Sequence, residues 1–404
     1  MIIRNRICFC LVSLVCVSLL ATVVRADWKQ FRGDDQRNAS PDAKVPAEWG
    51  EGEIAWKADL PGRAASSPIV VGDKVIATSA SGYRNDRLHV AAFDEATGKQ
   101  LWHRQFWATG RTLTHPFSSV AANTPASDGK YVYAFFSSND LACLDLDGNL
   151  IWYRGITHDY PTAANDVGMS ASPVIVGDVV VVQVENEVNS IAMGMDKATG
   201  KELWKVDRPQ AMCWTSPGVL EADGKSLVLL QSSKYMTAHD PQTGKELFPY
   251  GDDCSTIVSP VAIGESMYIR SGDGINKVVR KGTTKEVEVV WSQPKLSPSA
   301  ASPVIHDGMI YTVNRAGVVA AAHDEDGEIA WQQRLKGPFW ATPVLAGDKL
   351  FCFNDEGVCQ VIQLGDEAKI IATNELGDKV LGSPAVSGNA LFVRSENHLW
   401  KIGK

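Results

Sequence analysis

Two stretches of the chain, 103–123 and 153–171, concentrate side chains suited to acid–base chemistry or to ligand binding. His115 lies in the first stretch, and Asp159 and Asp166 lie in the second, so a histidine–carboxylate pair that transfers a proton is one interpretation. No nucleophile elbow, Gly-rich phosphate loop or catalytic-triad spacing accompanies these residues. The sequence therefore favours ligand binding over catalysis at these stretches.

The elements that position these stretches follow from an internal repeat, a Ser/Thr-Pro pair followed by apolar residues. The intervals between successive prolines fall from 57 residues at the first pair to 40 or 41 at the last pairs. Such a period is typical of four-stranded propeller blades and of two-helix repeats, and the β-rich runs joined by Gly-Asp or Asp-Gly turns favour blades. The pairs are Ser67-Pro68, Thr124-Pro125, Ser172-Pro173, Ser216-Pro217, Ser259-Pro260, Ser302-Pro303, Thr342-Pro343 and Ser383-Pro384.

A second motif, an Asp-x-x-Thr-Gly-Lys turn followed by an aromatic residue, predicts the third and fourth strands of each blade. The clearest copies are 94–102 and 196–204, and weaker copies end at Trp152, Phe248 and Trp331. The Asp closes the turn and the Gly supplies a positive φ. We expect the aromatic residue to pack against the neighbouring blade.

The count of strands predicts how the ring closes. The eighth unit ends without a fourth strand, whereas residues 53–57 form a strand pattern that precedes the first blade. We therefore predict an all-β fold, an eight-bladed β-propeller of four-stranded antiparallel blades, closed by an N-terminal strand that completes the last blade. The expected domains are an N-terminal extension over 27–52 that packs on the propeller, and the propeller itself over 53–404.

Strand direction places both stretches on the same side of the propeller. In an up-and-down blade, two kinds of connection lie on the same face, here called the loop face. One kind leads from the fourth strand to the next blade, and the other leads from the second strand to the third. We expect this face to bind, although the two loops can instead cap the channel, and Trp214 and Trp340 can be core residues. The candidate binding residues are Arg111, His115, His158, Asp159, Asn165, Asp166, Trp214, Arg315 and Trp340.

The connections between second and third strands are rich in Asn, Asp and Glu, for example Asn139-Asp140 and 354–356. A ring of such oxygen ligands is able to hold Ca²⁺. The same residues are also those that tight turns use, and this second interpretation is favoured. No metal site is predicted.

Residues 1–26 have the pattern of a secretory signal peptide. Arg4 and Arg6 precede an apolar run over 7–24, and the small residue Ala26 marks the expected cleavage point. An uncleaved membrane anchor is the alternative, because 18 apolar residues nearly span a bilayer. We expect a secreted or periplasmic protein.

Composition and cysteine count exclude several classes of function. Lys and Arg number 39 against 47 Asp and Glu, which argues against nucleic acid or an anionic membrane as the main partner. Five cysteines follow the signal, and an odd number cannot form a complete disulfide framework. Cys352 and Cys359 flank a predicted hairpin turn and are either bridged or simply buried.

The repeated Ser/Thr-Pro strands and Thr-Gly-Lys turns resemble the pyrroloquinoline-quinone (PQQ)-type propeller repeat, which also occurs in BamB-like outer-membrane assembly factors. The opening segment 27–33 resembles the start of secreted members of this group. The BamB-like resemblance implies a non-catalytic binding scaffold. The quinoprotein resemblance implies a dehydrogenase with PQQ over a Trp at the axis, Ca²⁺ and an Asp base. Such dehydrogenases often carry two adjacent cysteines near the quinone, but no two cysteines are adjacent here, and the chain is shorter than those enzymes.

Three functions from different classes therefore remain at the level of sequence. We expect a monomeric, non-catalytic scaffold that binds an envelope protein or a small polar ligand through the face bearing loops 103–123 and 153–171. A PQQ-dependent dehydrogenase is the alternative. A hydrolase or lyase acting on glycans has only His115 and the nearby acids to support it.

Overall fold

The strands of the chain form eight four-stranded antiparallel sheets, one for each predicted blade. The computed structural model describes residues 27–164, 167–251, 253–282 and 284–404, and the predicted signal peptide lies outside this range. The one helix in the described residues is α1 (Ile156–Asp159). The strands are β1 (Ala39–Ser40), β2 (Ile54–Asp59), β3 (Ile69–Val71), β4 (Lys74–Ser81), β5 (Arg87–Asp94), β6 (Gln100–Trp107), β7 (Ala126–Ser127), β8 (Tyr131–Phe135), β9 (Asp140–Asp145), β10 (Leu150–Gly155), β11 (Val174–Val176), β12 (Val179–Val184), β13 (Ile191–Asp196), β14 (Glu202–Asp207), β15 (Gly218–Ala222), β16 (Lys225–Gln231), β17 (Met236–His239), β18 (Glu246–Tyr250), β19 (Val261–Ile263), β20 (Ser266–Ser271), β21 (Gly274–Arg280), β22 (Val287–Gln293), β23 (Val304–His306), β24 (Met309–Val313), β25 (Val318–His323), β26 (Ile329–Arg334), β27 (Val344–Ala346), β28 (Lys349–Phe353), β29 (Val358–Gln363), β30 (Lys369–Glu375), β31 (Ala385–Ser387), β32 (Ala390–Arg394) and β33 (His398–Gly403).

Each blade runs from an inner strand to an outer strand, with a tight turn at nearly every connection. The blades are β3–β6, β7–β10, β11–β14, β15–β18, β19–β22, β23–β26, β27–β30 and, for the eighth, β31–β33 with β2. Middle strands are buried on both faces because each blade is covered by two neighbours, as in the fully buried β12. Outer strands alternate between half-buried and exposed residues, as in β26.

The eighth blade confirms the predicted closure of the ring. Strand β2 pairs antiparallel with β33, from Ile54 opposite Ile402 to Asp59 opposite His398. A buried ion pair ties the same blade to the first one, because Lys401 Nζ lies 2.7 Å from Glu95 Oε1. The ring is therefore closed both by backbone pairing and by a charged contact.

Aromatic residues of the outer strands join each blade to the next, as the repeat predicts. Trp204 Nε1 donates to Pro241 O at 2.8 Å in the turn of the following blade. Its ring covers Gly244 of that turn, where a Cβ would lie 2.6 Å from the indole and φ is +68°. Glycine is thus needed at this position both for the backbone conformation and for the contact. Equivalent indole-to-carbonyl bonds are made by Trp56, Trp102, Trp152 and Trp291.

Every outer strand carries a β-bulge, which lies beside this aromatic position in seven blades and beside Ala372 in β30. The register shift leaves one residue unpaired, and in five blades that residue is a large apolar side chain exposed on the rim of the propeller. These rim residues are Leu101, Ile151, Leu203, Val290 and Ile371.

Residues 28–40, here called the channel segment, run along the inner strands of several blades. Trp28 forms a β-bridge with Val70, and β1 adds a parallel strand to β27. Lys29 O accepts the Ser127 N–H at 2.8 Å, and Gln36 Oε1 accepts the Val219 N–H at 3.0 Å. The segment therefore contacts the inner strands of blades 1, 2, 4 and 7 and occupies part of the axial channel.

The disulfide considered for Cys352 and Cys359 is not formed, and all five described cysteines are buried. Cys352 lies opposite Gln360 in the β28–β29 ladder, whereas Cys359 lies opposite Phe353. A shift of one residue sends the two thiols to opposite faces of the sheet. Cys352 packs in the core shared with blade 6, and Cys359 packs in the core shared with blade 8.

No helix in the described ranges is long and apolar enough to cross a membrane.

Candidate functional site

The eight Ser/Thr residues of the repeated pairs line a single axial cavity, and they form what we call the hydroxyl ring. At six of the eight junctions between described blades, the backbone N–H of one ring residue donates to the hydroxyl of the next, at 2.9 to 3.0 Å. At the other two junctions this bond is not formed, and the hydroxyls that would accept it are those of Ser302 and Ser67. These hydrogen bonds, here called the clasp, link neighbouring blades around the ring. From the sequence, the repeated Ser/Thr-Pro pairs indicated only the period of the blades.

The cavity opens on the loop face and has a volume of about 500 Å³. Its inner end is formed by the hydroxyl ring and by Phe31 of the channel segment. Its outer end is formed by residues of six inter-blade loops, most of them aromatic or aliphatic. These outer residues include His115, Phe117, Val167, Met212, Trp214, Ile257, Trp340 and Leu381.

A stack of rings crosses one side of the cavity mouth. His115 packs on Phe117 at 5.8 Å between ring centroids, and Phe117 packs on Trp340 at 6.0 Å. The Arg315 guanidinium lies over the other side of Trp340, 4.9 Å from the ring centroid. The loop after blade 1 therefore reaches across the mouth to the loop after blade 6.

Hydrogen bonds between loops hold the other side of the mouth. Trp214 Nε1 donates to Gly168 O at 2.8 Å, and the Trp214 N–H donates to Thr256 O at 2.7 Å. The His115 N–H donates to Val167 O at 2.8 Å. Because these hydrogen bonds connect neighbouring loops, the mouth of the cavity is one continuous surface formed by several loops.

The structure brings together His115, Trp214, Trp340 and Arg315 from the candidate residues, and it places Arg111, His158 and Asp159 elsewhere. His158 and Asp159 lie exposed on α1, where the Asp159 carboxylate pairs with Arg154. Arg111 is exposed in the first long loop and is not among the residues that line the cavity. Asn165 and Asp166 lie outside the described residues.

The arrangement does not assemble the proposed acid–base pair of His115 with Asp159. His115 Nδ1 accepts the Phe117 N–H at 3.2 Å, so one ring nitrogen serves the loop. Among the described residues, no hydrogen bond or ion pair joins His115 to a carboxylate, and no Asp or Glu lines the cavity. The described part of the site offers hydroxyl, aromatic and cationic groups, which can bind a ligand, whereas the other predicted partner of His115, Asp166, lies outside the described residues.

Polar residues between the second and third strands close turns in the part of the chain that is described. Asn354 Oδ1 accepts the N–H groups of Glu356 and Val358, and Asn186 Oδ1 accepts those of Val188 and Asn189. Asn139 adopts φ +63°. Across the described ranges, no group of three or more His, Cys, Asp or Glu residues is placed to hold a metal ion.

A buried polar cluster beside the cavity wall was not predicted. Arg208 Nε donates to Glu185 Oε1 at 3.0 Å, and burial raises the pKa of Glu185 despite this ion pair. Burial and the Glu185 carboxylate also raise the pKa of the Cys213 thiol to about 12. Burial thus disfavours the Cys213 thiolate, which is the form of cysteine that acts as a nucleophile.

Sequence reasoning also missed Phe31 and the hydroxyl ring as parts of the site. The ring had a usable signal, because a hydroxyl side chain precedes Pro in every one of the eight units. Phe31 had none, because the channel segment carries no periodicity.

Comparison with known proteins shows which family has a sequence similar to that of this chain. A family model described as outer membrane protein assembly factor BamB matches residues 45–193, 162–251 and 276–366. The outer membrane protein assembly factor BamB of Shewanella oneidensis is 22% identical over 275 residues, which cover 67% of this chain and 64% of that protein. The chain thus matches just under two thirds of the length of this relative.

Solved structures show the same fold at low identity. BamB from Moraxella catarrhalis superposes with a TM-score of 0.63 and 18% identity over 87% of this chain and 97% of that one. A europium-containing methanol dehydrogenase superposes with a TM-score of 0.70 and 14% identity over 92% of this chain and 90% of that one. The fold is therefore shared by assembly factors and by dehydrogenases. The family match, which spans more than half of the residues, shows that this chain belongs to the BamB family of outer membrane protein assembly factors.

Proposed function

We propose that this protein is a non-catalytic scaffold of the cell envelope that binds a partner protein through its loop face. The observation that carries the proposal is the distribution of exposed large apolar side chains. Apart from residues of the outer strands near the rim bulges, all such side chains in the described chain belong to the loop face. They are Tyr83, Trp107, Leu113, Phe117, Val188 and Ile257, with Tyr83 fully exposed and Trp107 60% exposed.

The chemistry of this surface suits protein recognition. Trp, Tyr and Arg are the residue types that most often dominate binding energy at interfaces. Here the Arg87 guanidinium lies 5.7 Å from the centre of the Trp107 ring, and Arg315 covers Trp340. A surface of this kind binds by burial of rigid aromatic groups and needs no catalytic residue.

Relatives of the chain support an envelope role. The proteins that it resembles in sequence are named as outer membrane protein assembly factors. The predicted signal peptide over 1–26 agrees with export across the inner membrane. We infer that the chain acts as a single propeller in the periplasm, with the loop face turned toward its partner.

The test is site-specific photo-crosslinking in the producing cells. A photoreactive residue is placed at Trp107 or Leu113 on the loop face, and at Leu203 or Val290 on the rim as matched exposed controls. We expect one envelope protein to be crosslinked from the loop face and not from the rim. Crosslinking at equal yield from both surfaces, or from neither, would refute the proposed binding face.

A PQQ-dependent dehydrogenase is the second candidate, favoured by the axial cavity with its two tryptophans and by the fold shared with a methanol dehydrogenase. The residues present fit this group poorly. Ca²⁺ prefers carboxylate and carbonyl oxygens, and the described lining contains no carboxylate. Cys213 stands between Met212 and Trp214, without a second adjacent cysteine.

Titration with PQQ, with and without Ca²⁺, distinguishes the two functions. Under the scaffold proposal, neither absorbance nor tryptophan fluorescence shows saturable binding at micromolar quinone. Saturable binding of one quinone per chain would favour the dehydrogenase instead.

A further inference from the structure

The hydroxyl ring has unused hydrogen-bond donors. Six of its hydroxyl oxygens accept a backbone N–H from the neighbouring blade. No described residue accepts a hydrogen bond from any of these hydroxyls, so each O–H proton is available to a group in the cavity. The hydroxyls of Ser67 and Ser302 accept no clasp bond, so each can both donate a hydrogen bond to a group in the cavity and accept one from it. The inner end of the cavity therefore presents a circle of donors.

A cation without a described counter-ion lies beside this circle, behind the residues that line the cavity. Arg32 of the channel segment is 1% exposed, and its Nη2 donates to Pro260 O at 3.0 Å. Pro260 follows Ser259 of the hydroxyl ring, and the guanidinium lies 5.2 Å from the centre of the Phe31 ring that forms the cavity floor. Arg32 Nε and Nη1 are buried and have no hydrogen-bond partner among the described residues.

Burial of this arginine is costly as the structure stands. Nε and Nη1, which together carry three N–H donors, are held away from water with the positive charge, and desolvation lowers the pKa of Arg32 to about 9. A negative charge at the inner end of the cavity would stabilise the buried guanidinium through space and offset part of this cost. A single arginine matches a single negative charge.

The outer half of the cavity has the opposite character. Phe117, Met212, Trp214, Ile257 and Trp340 surround it, and no described acidic or lysine side chain lines it. A ligand that satisfies both ends is therefore apolar at one end and anionic at the other. The volume of about 500 Å³ accommodates a ligand of one ring and a short chain.

We propose that the axial cavity binds a carboxylate, with its oxygens accepting from the hydroxyl ring on the side nearest Arg32 and with the apolar group that bears it between Phe117, Trp214 and Trp340. The carboxylate belongs either to a free aromatic or aliphatic acid or to the C-terminus of a peptide. This site adjoins the loop-face surface and shares Phe117 and Trp340 with it, whereas the hydroxyl ring and Arg32 belong to the cavity site alone.

The first experiment compares 3-phenylpropionate with 3-phenylpropanol and 3-phenylpropionamide by calorimetry and tryptophan fluorescence. We expect one acid to bind per chain, and the alcohol and the amide to bind at least tenfold more weakly. Equal affinity for the acid and its neutral analogues would overturn the proposal, because the charge would then contribute nothing.

Variants locate the bound carboxylate. R32M is expected to weaken binding of the acid at least tenfold without changing the affinity for the alcohol, and R32K to restore part of it. R37M is the matched control, because Arg37 lies in the same segment, is partly exposed and pairs with Asp35. Binding by R32M at wild-type affinity contradicts the proposal.

A second variant keeps the test decisive if R32M does not fold. S302A removes a ring hydroxyl that accepts no described clasp bond, so we expect an unchanged melting temperature and a several-fold loss of affinity for the acid. An S302A protein that binds the acid as the wild type does, together with an unfolded R32M, argues against the site.

Peptides identify the source of the carboxylate. A tetrapeptide that ends in phenylalanine is compared in its free-acid and amidated forms. Tighter binding of the free-acid peptide than of 3-phenylpropionate supports a chain terminus, and the reverse order supports a free organic acid. Failure of both probes to bind overturns the proposal.

Discussion

Replacement of Trp204 by alanine tests how the blades are held together. The indole is only 6% exposed and lies over the backbone of Gly244 in the next blade. Burial of a tryptophan side chain removes about 200 Å² from water, which at about 25 cal/mol per Å² corresponds to about 5 kcal/mol. Loss of the 2.8 Å bond to Pro241 O costs about 1 kcal/mol, whereas partial collapse of the cavity recovers some of the total. We therefore expect W204A to lower the free energy of unfolding by about 3–5 kcal/mol.

The assay is equilibrium unfolding in guanidinium chloride followed by far-ultraviolet circular dichroism, because the chain has twelve tryptophans and fluorescence would mix their signals. L203A is the matched control, since Leu203 is the adjacent rim residue and is 45% exposed, and we expect it to cost less than about 1 kcal/mol. G244A should approach the effect of W204A, because its Cβ would meet the same ring from the other side. A loss below 1 kcal/mol for W204A would refute the assigned role of the indole.

Two further predictions concern buried charge. K401M leaves Glu95 buried without its 2.7 Å partner, so we expect a loss of about 3–5 kcal/mol in unfolding free energy, and the double variant K401M/E95Q should recover part of it when measured in the same denaturant assay. His89 Nδ1 lies 2.9 Å from His103 Nε2. Burial, together with the neighbouring histidine, lowers the pKa of His89 from 6.5 to about 4. The folded state thus resists protonation of His89, so its contribution to stability is complete above pH 6.5 and is lost as the pH falls toward 4. We expect H89Q to flatten the decline of melting temperature between these pH values, and an unchanged decline would show that His89 does not cause it.

The repeated parts of the fold were predictable because their signals are local. The Ser/Thr-Pro period, the Asp-to-Gly turns and the aromatic position recur within each blade, so eight copies report on one geometry. The spacing from Trp56 to Pro68, which equals that from Trp291 to Pro303, even indicated which strand completes the ring. Each of these signals lies within a few dozen residues of the contact that it predicts.

Features that depend on distant or irregular contacts were not predictable. Arg32 reaches Pro260, 228 residues away, from a segment with no repeat pattern. The separation of Cys352 from Cys359 depends on a one-residue detail of register that composition does not report. His158 and Asp159 were predicted from their residue types, whereas their position depends on α1, which directs both side chains to solvent.

The closure of the ring also has a consequence for the order of folding. Strand β2 cannot pair until β33 has been synthesised, and Asp59 and His398 are 339 residues apart (398 minus 59). Closing a loop of this length costs about 5 kcal/mol of chain entropy by the logarithmic dependence on length, and contacts so distant in sequence form slowly. An open ring of seven complete blades is therefore the expected late intermediate, with the middle strand β33 unpaired at its outer edge. The unpaired edge of β33 can aggregate while the ring is open. The yield of folded protein will therefore depend on how quickly β2 pairs with β33.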